Sequence, residues 1–139
     1  MSRKITKLIV GLMIPACAAA ALAYTTDQAA HGKELYVTQC AVCHGANGQG
    51  GPVPDRFPDL KGEKAPPLVG PGFLPGMKTV GQVYDFASKA MPANNPGSLK
   101  SDEYLAIISF ALQANNIKPD GKSLTPASAK EIKLSGGEK

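Results

Sequence analysis

Two cysteines and a histidine lie close together in the stretch CAVCHG, as Cys40, Cys43 and His44. Thiols three positions apart can exchange disulfides, supply half of a zinc site, or anchor a larger group. The histidine directly after the second thiol adds an imidazole, which can bind a metal or move a proton. These chemistries require different folds and compartments, so the remainder of the chain must decide among them.

The first 23 residues are typical of a secretory signal peptide. A basic start over residues 2–7 precedes an apolar run over residues 8–14, and small residues follow up to Ala23. We expect cleavage after Ala23 and a periplasmic mature chain, which would be membrane-associated only if the signal were retained. Pro15 disfavours a permanent membrane helix, which needs about 18 or more apolar residues, and it also fits poorly with lipidation at Cys17.

Export changes both the charge and the cysteine count. Arg3, Lys4 and Lys7 leave with the signal, so the 15 basic residues become 12 against 11 acidic ones, a net charge of +1. No basic tract with interleaved aromatic residues remains, so nucleic-acid binding has no support. Cys17 also leaves, and a disulfide between the two remaining cysteines would close too short a loop to constrain much chain entropy. Their role is therefore expected to be chemical.

Apolar periodicity predicts an all-α fold with weak strand signals throughout. Asp27 is a candidate cap for the first helix, Thr79 is one for the second, and Ser101 begins the third with acidic residues in its first turn. Residues 117–139 have no sustained period and are expected to form a loose tail. The predicted helices span residues 27–43, 80–89 and 101–115.

Glycine and proline dominate the chain between the first and second helices. Residues 45–76 contain 8 glycines and 7 prolines in 32 positions, so regular structure longer than a turn is not expected there. Loops of this length are uncommon inside a compact domain unless something orders them. Three helices around such a segment form a thin core, and small domains of this kind usually gain stability from a disulfide, metal or cofactor.

The spacing Cys-x-x-Cys-His is the attachment signature of c-type haem. Cys40 and Cys43 would bond the two vinyl groups of one porphyrin, and His44 would bind the iron. A structural zinc site needs four ligands, but the mature chain adds only the distant His31. A thiol-exchange motif is expected near a βαβ pattern, which the sequence lacks. Haem is therefore the favoured interpretation.

The sixth iron ligand separates electron transfer from ligand binding or catalysis. The candidates in the mature chain are Met77, Met91 and His31. His31 precedes His44 on the same predicted helix, so it cannot reach the opposite haem face and is expected at the surface. Met91 begins an irregular loop that can present a thioether, and it is favoured over Met77 in its Gly-Pro-rich turn.

With these motifs the chain resembles a class I c-type cytochrome, most closely the small bacterial periplasmic monohaem proteins. The resemblance covers roughly residues 29–116 and rests on GKELYVTQCAVCHG, APPLVG and MPANNPGSL, in that order. It implies a cytochrome c fold in which three main helices wrap around one covalently bound haem. The implied division of the chain is a signal over residues 1–23, a cytochrome domain over 24–116 and a C-terminal extension over 117–139.

The resemblance also implies individual roles. The Pro66 carbonyl would accept a hydrogen bond from His44 and hold its tautomer. Leu68 belongs to the same cofactor-binding element. The loop MPANNPGSL assigns the sixth ligand to Met91.

The packing of the first helix on the last follows from the same resemblance. Gly32 and Tyr36 would meet Ile107 and Phe110, with the glycine allowing close approach of the two helices. Many relatives have a tryptophan near a haem propionate, but this chain has none. Arg56, in a long polar insertion, would either reach a propionate or remain a solvated surface residue.

The implied function is transfer of one electron between a dehydrogenase or bc-type complex and a terminal oxidase or other acceptor. Redox partner proteins are therefore expected, without membrane insertion of the mature domain. The alternatives are a haem-binding subunit of a periplasmic oxidoreductase complex and, less favoured, a haem sensor or enzyme with labile Met91 ligation. Five lysines would either form a basic rim that docks an acidic partner or serve solubility alone: Lys61, Lys64, Lys78, Lys89 and Lys100.

Overall fold

The computed structural model describes residues 24–70, 74 and 76–134, so the predicted signal over residues 1–23 lies outside the described part. Among the described residues, no helix is both long enough and apolar enough to cross a membrane. The helices are α1 (Thr26–Gln39), α2 (Ala41–His44), α3 (Val80–Ala90), α4 (Ser101–Ala114) and α5 (Pro126–Glu131).

The Gly/Pro-rich segment contains only short regular elements in its described part. Strand β1 (Gly51–Pro52) pairs antiparallel with β2 (Lys64–Ala65), and a 3-10 turn (Pro58–Leu60) lies between them. Each strand has two residues, so this ribbon fastens a loop without forming a layer of its own. The predicted all-α class is confirmed.

Helix α1 differs from its prediction at both ends. Its cap is Thr25, whose hydroxyl oxygen accepts from the Gln28 amide at 3.0 Å, and Asp27 lies instead in the first turn. The helix also ends earlier, because Cys40 has φ −121° and separates α1 from α2. The prediction of one uninterrupted helix over residues 27–43 is therefore wrong, and the break falls on the first motif cysteine.

The other two predicted helices begin where expected. The Thr79 hydroxyl oxygen accepts from the Gln82 amide at 3.2 Å and caps α3. Helix α4 begins at Ser101, and the Glu103 carboxylate accepts from the Lys100 amide at 2.7 Å. Acidic groups in this first turn also interact favourably with the positive end of the helix dipole.

Helices α1 and α4 pack with their backbones in contact at Gly32. A Cβ atom at Gly32 would lie 1.8 Å from the Ala106 carbonyl oxygen and 2.9 Å from the Ile107 nitrogen, so only glycine permits this crossing. One turn further along, the Tyr36 and Phe110 rings meet with centroids 5.1 Å apart. The predicted contact between the first and last helices of the cytochrome domain is present.

The hydrophobic core includes residues that were expected in a loose tail. Four of its members follow residue 116, and α5 contributes one of them. The prediction of a loose tail is therefore wrong for residues 117–134. The buried core residues are Tyr24, Ala29, Val80, Val83, Leu105, Ile108, Leu112, Leu124, Ala129, Ile132 and Leu134.

Hydrogen bonds to its backbone groups fasten this C-terminal segment to the rest of the domain. The Gln28 side chain donates to the Leu124 carbonyl at 3.0 Å and accepts from the Leu124 amide at 2.8 Å. At the start of α3, the Val80 amide donates to the Ile132 carbonyl at 2.9 Å. The segment escaped the sequence prediction because its apolar residues lie in a loop, a short helix and an extended stretch, which share no single period.

Replacement Gly32→Ala tests the crossing of α1 and α4. Alanine favours helices over glycine by roughly 0.5–1 kcal/mol, so propensity alone predicts a gain. We expect instead a loss of about 3 kcal/mol in the free energy of unfolding, because the methyl group collides with backbone atoms. Chemical denaturation of the full protein measures it, with exposed Lys33→Ala in the same helix as the control. Equal stability of the two variants would contradict the crossing.

Replacement Ile132→Ala tests the packing of the C-terminal segment. Ile132 is 5% exposed, and truncating a buried isoleucine costs about 3 kcal/mol. Thermal or chemical unfolding measures the loss. Exposed Lys133→Ala, the neighbouring position, should change stability by less than about 0.5 kcal/mol. A loose tail would make the two variants indistinguishable.

Candidate functional site

The break at Cys40 brings the two motif thiols into one turn of chain. The Cys43 and His44 amides donate to the Cys40 carbonyl at 3.1 and 2.9 Å. Both cysteines are partly buried free thiols. The turn therefore places the Cys40 and Cys43 thiols and the His44 imidazole within five consecutive residues, the N-cap and the four residues of α2.

Burial disfavours a thiol-exchange role for this turn. Burial, with a smaller contribution from the neighbouring Cys43, raises the pKa of Cys40 to about 11. A thiol that attacks disulfides needs a lowered pKa, since the thiolate is the nucleophile. Burial likewise raises the pKa of Tyr36 to about 12, so its hydroxyl stays protonated. That hydroxyl donates to the Gly45 carbonyl at 2.6 Å and closes the turn after the motif.

His44 is held in one orientation by a backbone carbonyl. It is 8% exposed, and its Nδ1 lies 2.9 Å from the Pro66 carbonyl oxygen. Because a carbonyl only accepts, Nδ1 carries the proton and Nε2 keeps its lone pair. The structure therefore brings His44 and Pro66 together in the tautomer that a metal-binding imidazole requires.

The Pro66 segment is held against the loop that follows His44. The Leu68 amide donates to the Gly48 carbonyl at 2.7 Å, and the Gly50 amide donates to the His44 carbonyl at 2.8 Å. Gly50 has φ +74°, and a Cβ atom there would lie 2.5 Å from the Ala65 carbonyl oxygen and 2.9 Å from the Pro66 carbonyl carbon. A glycine is thus needed where the two segments pass each other.

Asn115 fastens the same segment from the end of α4. Its side-chain amide donates to the Leu68 carbonyl at 2.9 Å and to the Ala111 carbonyl at 2.8 Å. Its side-chain oxygen accepts from the Gly70 amide at 3.0 Å. Sequence reasoning did not select Asn115. The available signal was an amide that directly follows an apolar helix, at its C-cap.

Met91 lies at the C-terminal end of α3, where the helix gives way to the loop MPANNPGSL. Its amide still donates to the Ala87 carbonyl, at 3.0 Å. The Met91 carbonyl accepts from the Gly97 amide at 3.2 Å and from the Tyr104 hydroxyl at 2.6 Å. Its backbone is thus anchored on both sides, while its ligand role stays a prediction.

The other two candidates for the sixth ligand lie elsewhere. Met77 packs against the hydrophobic core. The His31 side chain is 59% exposed, with its Nδ1 3.9 Å from the Glu34 carboxylate, which confirms its predicted surface position.

Tyr104 is a second residue that sequence reasoning missed. It is 4% exposed, and its hydroxyl also accepts from the Leu99 amide at 3.4 Å. A buried tyrosine usually finds a hydrogen-bond partner. Its place beside the apolar stripe of α4 was therefore a usable signal, although the sequence does not name the partner.

Arg56 lies in the long insertion, close to the loop that follows Met91. Its guanidinium carbon is 5.2 Å from the centre of the Phe57 ring, and the side chain is exposed. With Asn94 it lines a cavity of about 280 Å³ that separates the insertion from that loop. The predicted contact with a propionate stays a prediction, and the stacking on Phe57 is typical of a surface arginine.

These donors fit a c-type haem. Cys40 and Cys43 are free for thioether formation, His44 keeps Nε2 available, and Met91 supplies a soft thioether from an anchored backbone. Within the described residues, no three His, Cys, Asp or Glu side chains form a cluster for a bare metal ion.

Comparison with known proteins supports this assignment. The family model described as cytochrome c oxidase, cbb3-type, subunit III matches residues 27–110. The chain belongs to this family. It is a class I c-type cytochrome with the all-α cytochrome c fold, and it binds haem c. The match lies inside the predicted domain over residues 24–116, whose bounds stay predictions.

The cytochrome also resembles a chain in the crystal structure of the sulfane dehydrogenase SoxCD from Paracoccus pantotrophus. The TM-score is 0.54 at 25% sequence identity, and the match covers 83% of this cytochrome. It covers 61% of the SoxCD chain, so the cytochrome spans about three fifths of that chain's length. No curated protein sequence matches the cytochrome.

Two glycines with positive φ provide a matched test of the Pro66 contact. Gly62 has φ +85° with nothing within 4 Å of an added Cβ, so Gly62→Ala should cost only the backbone strain of about 1 kcal/mol. We expect Gly50→Ala to cost about 2 kcal/mol more, because its methyl group meets Ala65 and Pro66. Denaturation of the haem-loaded protein measures both. Equal losses would show that the two segments do not pass closely.

Proposed function

We propose that this cytochrome is a periplasmic electron-transfer protein with one haem c, attached through Cys40 and Cys43. The observation that carries the proposal is the buried His44 imidazole, which follows two free thiols and is fixed by Pro66. The protein carries one electron from a dehydrogenase or bc-type complex to a terminal oxidase or other acceptor. It acts as a carrier without a catalytic residue of its own.

His44 provides the proximal ligand in this proposal. Its Nδ1–H donates to the Pro66 carbonyl, which fixes the ring orientation and leaves Nε2 for the iron. When bound, the haem supplies a reversible one-electron couple between ferrous and ferric iron.

Met91 would hold the haem iron together with His44. A methionine and histidine ligand pair would raise the reduction potential and would leave no open iron position of the kind that an enzyme or gas sensor needs. The Met91 carbonyl is held by Gly97 and Tyr104, so its backbone is anchored independently of any ligand bond. An anchored ligand favours small rearrangement between the two oxidation states.

Partner docking involves the exposed lysines of the basic rim expected from the sequence. All five lysines of the expected basic rim are exposed, and the mature chain has a net charge of only +1. Attraction to an acidic partner would therefore be local and sensitive to salt. The lysines are Lys61, Lys64, Lys78, Lys89 and Lys100.

A second candidate function is that of a cytochrome subunit in a periplasmic oxidoreductase complex. The resemblance to a chain of SoxCD, which is a sulfane dehydrogenase, favours it. The electron transfer is the same in both cases, and only the lifetime of the association with the partner protein differs. Purification of the native protein under mild conditions distinguishes a subunit, which co-purifies with its enzyme, from a free carrier.

Replacement Met91→Ala tests the proposed ligation. The ferric protein should show the absorption band of methionine–iron ligation, and Met91→Ala should abolish it and allow prompt carbon monoxide binding in the ferrous state. Met77→Ala is the matched control, since Met77 packs against the core, and it should keep the band. Loss of the band in Met77→Ala alone, or prompt carbon monoxide binding by the wild type, would contradict the proposal.

A further inference from the structure

Helix α4 carries a polar side chain at each end of one face. Tyr104 lies in its first turn and Asn115 is its C-cap. Eleven positions correspond to just over three turns, so the two side chains point within roughly 20° of each other. The rise along the axis between them is about 16 Å.

At one end, the Tyr104 hydroxyl closes the loop that begins with Met91. It donates to the Met91 carbonyl at 2.6 Å and accepts from the Leu99 amide at 3.4 Å. Met91 and Leu99 are the first and last residues of MPANNPGSL. One buried oxygen thus holds both ends of the loop at the surface of α4.

At the other end, Asn115 holds the segment that contains Pro66. Its side chain accepts from the Gly70 amide at 3.0 Å and donates to the Leu68 carbonyl at 2.9 Å. Leu68 lies two positions after Pro66, whose carbonyl contacts His44 Nδ1. The amide therefore fixes the backbone that orients the imidazole.

We propose that α4 is a spacer that sets the separation between the two axial ligands, with Tyr104 and Asn115 as its positioning residues. The inference rests on the ligand assignment proposed above. Helix α4 suits this role because the contact of its Ala106 backbone with Gly32 fixes it against α1, the helix whose C-cap is Cys40. Each positioning residue acts on its own ligand, through backbone that it holds.

The contact of α4 with the Met91 loop is tested in the haem-loaded full protein with Tyr104→Phe. Removing the hydroxyl frees the Met91 carbonyl and should raise the rate at which added imidazole replaces methionine on ferric iron by about tenfold, or about 1.4 kcal/mol. Tyr84→Phe is the matched control, because the Tyr84 hydroxyl bonds the Ser101 side chain at 2.8 Å and does not bond Met91. Its rate should stay within about twofold of the wild type.

The contact of α4 with the Pro66 segment is tested in the same protein with Asn115→Ala. The solvent exchange rate of the His44 Nδ1 proton, measured by NMR, should rise by about tenfold. Exposed Gln113→Ala, in the last turn of α4, is the control and should leave the rate within about twofold. If Asn115→Ala does not fold, Asn115→Asp replaces it; this variant keeps the acceptor for Gly70 but loses both donors, and it should raise the rate above that of the wild type by less than tenfold.

Each variant should change only one of the two rates, imidazole replacement or His44 proton exchange. Tyr104→Phe should leave the His44 proton exchange unchanged, and Asn115→Ala should leave the imidazole rate unchanged. Equal effects of both variants on both rates, in step with global stability, would mean a merely structural role and overturn the inference. Wild-type rates in both variants would overturn it as well. The proposed function fails separately, if the wild type itself lacks the methionine–iron band.

Discussion

The backbone contact between Gly32 and Ala106 is the constraint on which the rest of the structure depends. With no side chain between them, α1 and α4 cross at a distance that a single methyl group would disrupt. The C-cap of α1 is Cys40, where the motif begins, and α4 presents Tyr104 and Asn115 to the two loops beside the site. The crossing therefore relates the motif to both loops.

Side-chain hydrogen bonds replace regular structure in the long Gly/Pro-rich segment. Its described strands have two residues each, so ladder hydrogen bonds alone cannot order it. Asn115, His44 and Tyr36 bond backbone groups of this segment, each from a helix or helix end. A typical hydrogen bond contributes only about 1 kcal/mol net, but an unpaired buried carbonyl costs more. These bonds add to backbone hydrogen bonds within the segment, such as those from Leu68 to Gly48 and from Val53 to Glu63.

Sequence patterns predicted those features of the structure that depend on residues close together in the chain. The turn from Cys40 to His44 is contiguous in sequence, and the apolar periods of α3 and α4 reflect a single helix face each. The Pro66 contact depended on resemblance to a family, because nothing in APPLVG itself specifies a histidine twenty-two positions earlier. Asn115 and Tyr104 were missed for the same physical reason, since a polar side chain does not reveal which distant carbonyl it will bond.

The C-terminal segment, residues 117–134, lies beyond the family match, which ends at residue 110, and it holds the start of α3. Its Lys133 backbone pairs with Thr79, and the Ile132 carbonyl accepts from Val80, the first residue of α3. Met91 is the C-cap of the same helix, and Tyr104 holds it from α4. Helix α3 is therefore fastened at its start by the C-terminal segment and at its end by α4. Because a helix fixed at both ends can neither slide nor tilt freely, residues 117–134 stabilise the position of Met91 without lying beside it.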